Sequence, residues 1–241
     1  MPPLITPNLK GVPETMLWAL YNRAAEARRP DALIGDPLAI QIADAIRYDY
    51  VRSFGRPESG QVIRALLSDQ LLRAWLQDHP GGQVVALGEG LETRFHRVDD
   101  GRVHWLAVDL PEAIAVRSLF LPNSDRHRNL ACSALDLRWM DAVDPRQGVI
   151  VIAVGLLKYF YPQEVRRLIA AIAGRYPTVE MVFGVGFDLW GEWQYNVSGV
   201  WRTIEDASRL CTARGAAEAA GPPRRGYDSI SPPRRQGFDL G

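Results

Sequence analysis

The segments QVVALGEG (residues 83–90) and VHWLAVDL (residues 103–110) decide the fold. Each is a short apolar run that ends abruptly, the first in Gly88-Glu89-Gly90 and the second in Asp109. Runs of this length without polar alternation read as strands buried on both faces, the pattern of a parallel sheet. A third run of the same kind is GVIVIAV, residues 148–154, and weaker strands are expected at 129–133 and 178–185. Helical stretches lie between them. Pro111 opens one, with Glu112 in the first turn, where the helix dipole favours an acid. Pro162 opens another, with Val165, Leu168, Ile169 and Ile172 on one face. Strand–helix alternation predicts an α/β fold: a Rossmann-like parallel sheet covered by helices on both sides. Ligands in such sheets bind outside the carboxyl ends of the strands.

The N-terminal part reads as helices. Met16, Leu17, Leu20, Tyr21 and Ala24 recur at helical spacing, and Pro30 closes that helix. Asp36-Pro37 has the form of an N-cap followed by proline at the first helical position, with Leu38, Ile42, Ala45 and Ile46 as the apolar face. A third helix is expected from about 61 to 77, with Ile63, Leu67, Leu71 and Trp75 as its buried stripe and Arg64 off that stripe, toward solvent or a neighbouring cleft. The expected organisation is a helical cap over 1–80, a sheet core over 81–190, and a diverged or partly disordered segment over 191–241. That last segment has no clean alternation. It carries Pro222-Pro223-Arg224-Arg225 and, ten residues on, Pro232-Pro233-Arg234-Arg235.

Composition narrows the function. The chain has 241 residues, 47% of them hydrophobic, too many for disorder along its whole length. Twenty-eight basic residues balance 28 acidic ones, so the basic footprint of a nucleic-acid binder is missing. The longest apolar run, 149–157, is about half of what a membrane span needs. Cys132 and Cys211 lack metal-ligand spacing, and the four histidines are scattered, so no metal site is expected. With no secretory pattern at the start, the expectation is a cytoplasmic protein without nucleic-acid or membrane partners.

Three features carry chemistry. Gly88-x-Gly90 after a strand marks a turn where backbone comes close to a ligand. Positions 93 and 94 are Thr and Arg, so the third glycine of a dinucleotide fingerprint is absent. Asp109, at the end of the second strand, suits a carboxylate that accepts from both ribose hydroxyls, or a helix cap before Pro111. Asp136-Leu137 follows the third strand and suits either an adenine edge or a turn.

The segments VVALGEGLETRFHRVDDGRVHWLAVDLPEAI (84–114) and ACSALDLRWM (131–140), in this order, resemble the leucine carboxyl methyltransferase family, in particular its actinobacterial polyketide O-methyltransferase members. Residues 14–39 resemble that family's helical cap, and the likeness extends over roughly 11–186. The resemblance implies a class I methyltransferase that binds S-adenosylmethionine (SAM). It places Gly88, Glu89, Gly90 and Gly155 in loops against the methionine part, Asp109 and Leu110 at the ribose, and Asp136 and Leu137 beside adenine. It makes Arg64 the grip on the SAM carboxylate, a role that suits a guanidinium fork. The implied partner is a small-molecule acceptor in secondary metabolism that receives methyl on a carboxylate or hydroxyl oxygen, and self-association is left open. A carboxylate acceptor needs no base, and no catalytic residue is assigned.

Two departures from the family pattern matter. After the fourth strand the pattern reads close to EG(V/L)LMYL, whereas this chain has Val154-Gly155-Leu156-Leu157-Lys158-Tyr159-Phe160. Glu89 is then expected near the sulfonium or ammonium, offsetting the missing acid. The strands that complete the family sheet are not legible in 187–241. Together these departures support an alternative: a SAM-fold protein that binds SAM or its product without methylating, as a regulatory or partner subunit.

Overall fold

The computed structural model describes residues 4–184 and 199–201. In chain order the elements are α1 (Thr15–Ala27), α2 (Pro37–Ala45), α3 (Tyr50–Phe54), α4 (Ser59–Asp78), β1 (Gln83–Leu87), α5 (Arg94–Val98), β2 (His104–Asp109), α6 (Pro111–Phe120), β3 (His127–Ala131), β4 (Val149–Val154), α7 (Pro162–Arg175), β5 (Glu180–Gly184) and β6 (Gly199–Trp201). The strands form one sheet in the order β3-β2-β1-β4-β5-β6. All pairs are parallel except β5–β6. The order reverses between β1 and β4, which opens a crevice at their carboxyl ends.

Side-chain alternation along the strands builds a core on each face. Val84, Ala86, Trp105, Ala107, Ile150 and Ile152 face α4 and α5 through Leu72, Trp75, Leu76, Phe95 and Val98. Val85, Leu87, Leu106, Val108, Val151 and Ala153 face α7 through Leu168, Ile169 and Ile172. A third cluster joins α1 and α2 to Ala113 and Val116 of α6. Asp36 caps α2 as expected, accepting from the Ala39 N–H at 3.0 Å.

The structure corrects the sequence reading at several points. In α4, Ile63 and Leu67 are half exposed while Val62, Ala65, Leu72 and Leu76 are buried. A residue spacing of four overshoots the 3.6-residue turn by about 40° per step, so a stripe begun at Ile63 rotates away before it reaches Trp75. In α2 the buried face is Ala39, Ile42 and Ala43 rather than Leu38 and Ala45. The third strand begins at His127, two residues early. A sixth strand exists where none was legible: Gly199–Trp201 pairs antiparallel with β5, so β5 is not the sheet edge. Three residues are too few for an alternation signal, and the open edge of β5 recruits them. The Pro-Pro-Arg-Arg repeats lie outside the described residues.

Candidate functional site

The crevice at the sheet reversal is a cleft of about 1040 Å³ including its open mouth. Its floor is Gly88–Gly90 after β1, Asp109 and Leu110 after β2, and Val154–Leu156 after β4; α1 and α4 roof it with Met16, Trp18 and Arg64. Of the residues singled out in the sequence, Arg64, Gly88, Glu89, Gly90, Asp109, Leu110 and Gly155 line this one cleft. Asp136 and Leu137 do not. Asp136 caps a short 3-10 turn and is forked with Arg138, whose guanidinium holds its pKa down to about 2. A two-residue ion pair is enough to turn that carboxylate outward.

Asp109 accepts from two backbone groups, Gly90 N–H and Leu110 N–H, both at 2.7 Å. Burial pushes its pKa up and these N–H groups pull against that. One lone pair on each oxygen is used, so each oxygen can accept one more hydrogen bond, the requirement of a vicinal diol. Gly90 is needed for two reasons. Its φ is +51°, and a Cβ there would lie 2.5 Å from the Met16 Cβ, so the close approach is to the cap. Gly155, at φ +80°, faces the Arg64 guanidinium, whose Nη2 would be 3.4 Å from an added Cβ.

Arg64 reaches into the cleft from α4. It bonds Gln61, and no carboxylate pairs with it among the described residues. Burial lowers its pKa and the nearby Arg94 adds to this, while Glu92 opposes. An anion delivered by a ligand would relieve that cost. Lys158 also lines the cleft, its ammonium 5.0 Å from the Tyr159 ring centroid.

The Glu89 carboxylate accepts from Trp105 Nε1 at 2.8 Å and lies 3.6 Å from Arg117. Burial raises its pKa against the pull of Arg117 and Trp105. The ion network beside the cleft is a feature that the sequence reading missed. Asp36, Asp69 and Glu92 bind Arg23, Arg94 and Arg97, drawing α1, α2, α4 and α5 together. Burial alone would raise Glu92, but the three arginines outweigh it and hold its pKa well below the usual range. The available signal was Arg94 and Arg97 alternating with Phe95 and Val98 on one short helix.

A cofactor of this shape fits the residues present: diol acceptors at Asp109, an uncompensated cation at Arg64, and glycine backbone between them. The family model and the relatives in sequence agree. The family model described as leucine carboxyl methyltransferase matches residues 16–173. The tetracenomycin polyketide synthesis O-methyltransferase TcmP of Streptomyces glaucescens is 30% identical over 181 residues, 74% of this chain and 67% of that protein. A putative S-adenosyl-L-methionine-dependent methyltransferase of Mycolicibacterium gilvum is 31% identical over 182 residues, 63% of this chain and 59% of its own. Among solved structures, the N-methyltransferase NodS of Bradyrhizobium japonicum matches 65% of this chain and 84% of its own at 16% identity, with a TM-score of 0.42. The chain belongs to the leucine carboxyl methyltransferase family and is by class a SAM-dependent methyltransferase.

Proposed function

We propose that this chain methylates an ionised oxygen, foremost a carboxylate, on a small molecule. The observation that carries this reading is the convergence of Asp109, Arg64 and the glycine loop on one cleft that also holds a second cation, Lys158, with no carboxylate pairing it among the described residues. SAM, when bound, would supply a sulfonium methyl group to the acceptor oxygen, with the thioether S-adenosylhomocysteine as the leaving group. The protein's part is alignment, worth about 7–11 kcal/mol when reacting atoms are held in line. Asp109 holds the ribose, and Arg64 forks the amino-acid carboxylate. Lys158, exposed on the cleft lining, attracts the acceptor anion, and Trp18 and Tyr159 line the same cleft with aromatic rings. None of the four histidines lines the cleft, which suits an acceptor that needs no base at pH 7. TcmP acts in polyketide synthesis, and an acidic intermediate of secondary metabolism is the acceptor class we favour. A cytoplasmic setting belongs to the same reading.

No helix among the described residues is long and apolar enough to cross a membrane. The test is thermal shift with SAM, S-adenosylhomocysteine, NAD and ATP, followed by radiolabelled methyl transfer to aromatic acids and phenols. A ligand at a hundred times its Kd adds about 2.7 kcal/mol. At this chain size that is roughly 5–10 °C in Tm. Stabilisation by the two adenosyl compounds and transfer to acids is the expected result. Stabilisation by NAD or ATP alone would remove the proposal, and adenosyl binding with no turnover on any acceptor would favour a non-methylating subunit.

A further inference from the structure

Behind the glycine loop lies a buried polar cluster that methyl transfer itself does not use. Its centre is Arg117 on α6, with a side chain about 1% exposed. One nitrogen, Nη1, donates to the carbonyls of Gly90 and Glu92, both at 2.8 Å. Nε donates to Asn129 Oδ1 at 2.8 Å. Nη2 donates to His127 Nε2 at 3.0 Å and lies 3.6 Å from a Glu89 oxygen. The Glu89 carboxylate is in turn held by Trp105. Arg117, Trp105, His127 and Asn129 are absent from the cleft wall.

We infer that Arg117 is the positioning residue of the cofactor loop: from behind it holds the 90–91 and 92–93 peptides by their carbonyls, and so fixes Gly90, whose N–H meets Asp109 in front. The geometry favours this over a plain buried ion pair. The contact to Glu89 is the longest of the five, and the shortest ones go to loop carbonyls and Asn129. Only a guanidinium supplies five N–H groups in a fixed fork, and here four are spent on neutral acceptors. Lysine would offer three mobile donors and reach fewer of them. Asp109 closes the arrangement: one carboxylate oxygen accepts from the N–H of Gly90, the residue whose carbonyl Arg117 holds, and the other accepts from Leu110 N–H. Position follows from sequence here, because α6 starts directly after the Asp109-Leu110 turn and brings its residue 117 back under the loop.

The inference rests on the methyltransferase reading only for what the loop grips, and two measurements separate the two. The first is hydrogen–deuterium exchange of the segment 88–93 in the ligand-free native protein and in Arg117→Lys, with α7 as internal reference. The native loop is expected to exchange as slowly as β1, and the variant at least tenfold faster in that segment alone. The second is titration of S-adenosylhomocysteine, which the variant should bind at least tenfold more weakly, with the loss in steady state falling on the KM for SAM more than on kcat. A native loop that exchanges freely, or a variant loop within twofold of native, overturns the inference. If Arg117→Lys does not fold, the pair Glu89→Gln with Arg117→Met, which removes both buried charges, takes its place. Failure of both to fold would assign Arg117 to the general core and also overturn the positioning role. A protected native loop in a chain that binds no adenosyl compound would sink the methyltransferase reading and leave this one standing.

Discussion

At the residue scale the site depends on a few polar atoms whose partners are fixed by burial. Asp109 is the clearest case. Asp109→Asn keeps one acceptor oxygen but turns an NH2 toward a backbone N–H, so one hydrogen bond becomes a clash. A lost bond to a buried charged group costs about 1–3 kcal/mol. Affinity for S-adenosylhomocysteine is expected to fall roughly ten- to hundredfold, read by calorimetry. His127 is the second case. Burial, then Arg117 and His96, lower its pKa to about 4, while the Pro122 carbonyl opposes. Its ordinary value is 6.5, so the unfolded chain takes a proton first as pH falls. The stabilising term is complete above pH 6.5 and is lost as pH drops toward 4. It amounts to about 3 kcal/mol, an order of magnitude set by the size of the shift. Urea denaturation of native protein and His127→Gln at pH 7.5, 5.5 and 4.5 measures it. The native protein should lose stability more steeply, and parallel slopes would contradict the assignment.

At the scale of elements, α4 shows how a helix in two environments misleads periodicity. Its outer residues Ile63 and Leu67 are about half exposed, whereas Leu72 is fully buried against the sheet. Leu67→Ser is expected within about 0.5 kcal/mol of native stability. Leu72→Ala is expected to cost 2–5 kcal/mol, roughly the range for emptying a core leucine site. Chemical denaturation of the two variants side by side decides which stripe is the core. Strands were easier to read than helices here. The runs at 83–87 and 149–154 are buried on both faces, so composition alone exposes them. The helix α4 has one face on the sheet, another on α1 and a third in solvent, and no single period describes that.

At the scale of the whole molecule, the cap and the sheet are joined by buried charge. Asp36 caps α2 and also accepts from Thr93 and Arg97 and lies 3.4 Å from Arg23. Losing an ordinary cap costs about 1 kcal/mol. Removing one partner from a buried ion network costs about 3–5 kcal/mol, because the remaining charges stay desolvated. Asp36→Ala is therefore expected near the larger figure in urea denaturation, and a loss of only 1 kcal/mol would show that the network adds nothing beyond the cap. Since the same network holds α4, and with it Arg64, over the cleft, its integrity also sets where the proposed carboxylate grip stands.

What the sequence determined by itself was local: which runs are strands, where Pro37, Pro111 and Pro162 start helices, and that a glycine turn and an acid follow successive strands. Those signals are local because burial on two faces, fixed proline φ and cap chemistry act within a few residues. Tertiary structure alone decided that β6 covers the edge of β5, that Glu89 turns inward to Trp105, and that Arg117 reaches loop carbonyls 25 and 27 residues back in the chain. Such contacts join segments far apart in sequence. Which donor meets which acceptor is set by how the layers pack, and no spacing of residue types along the chain encodes it.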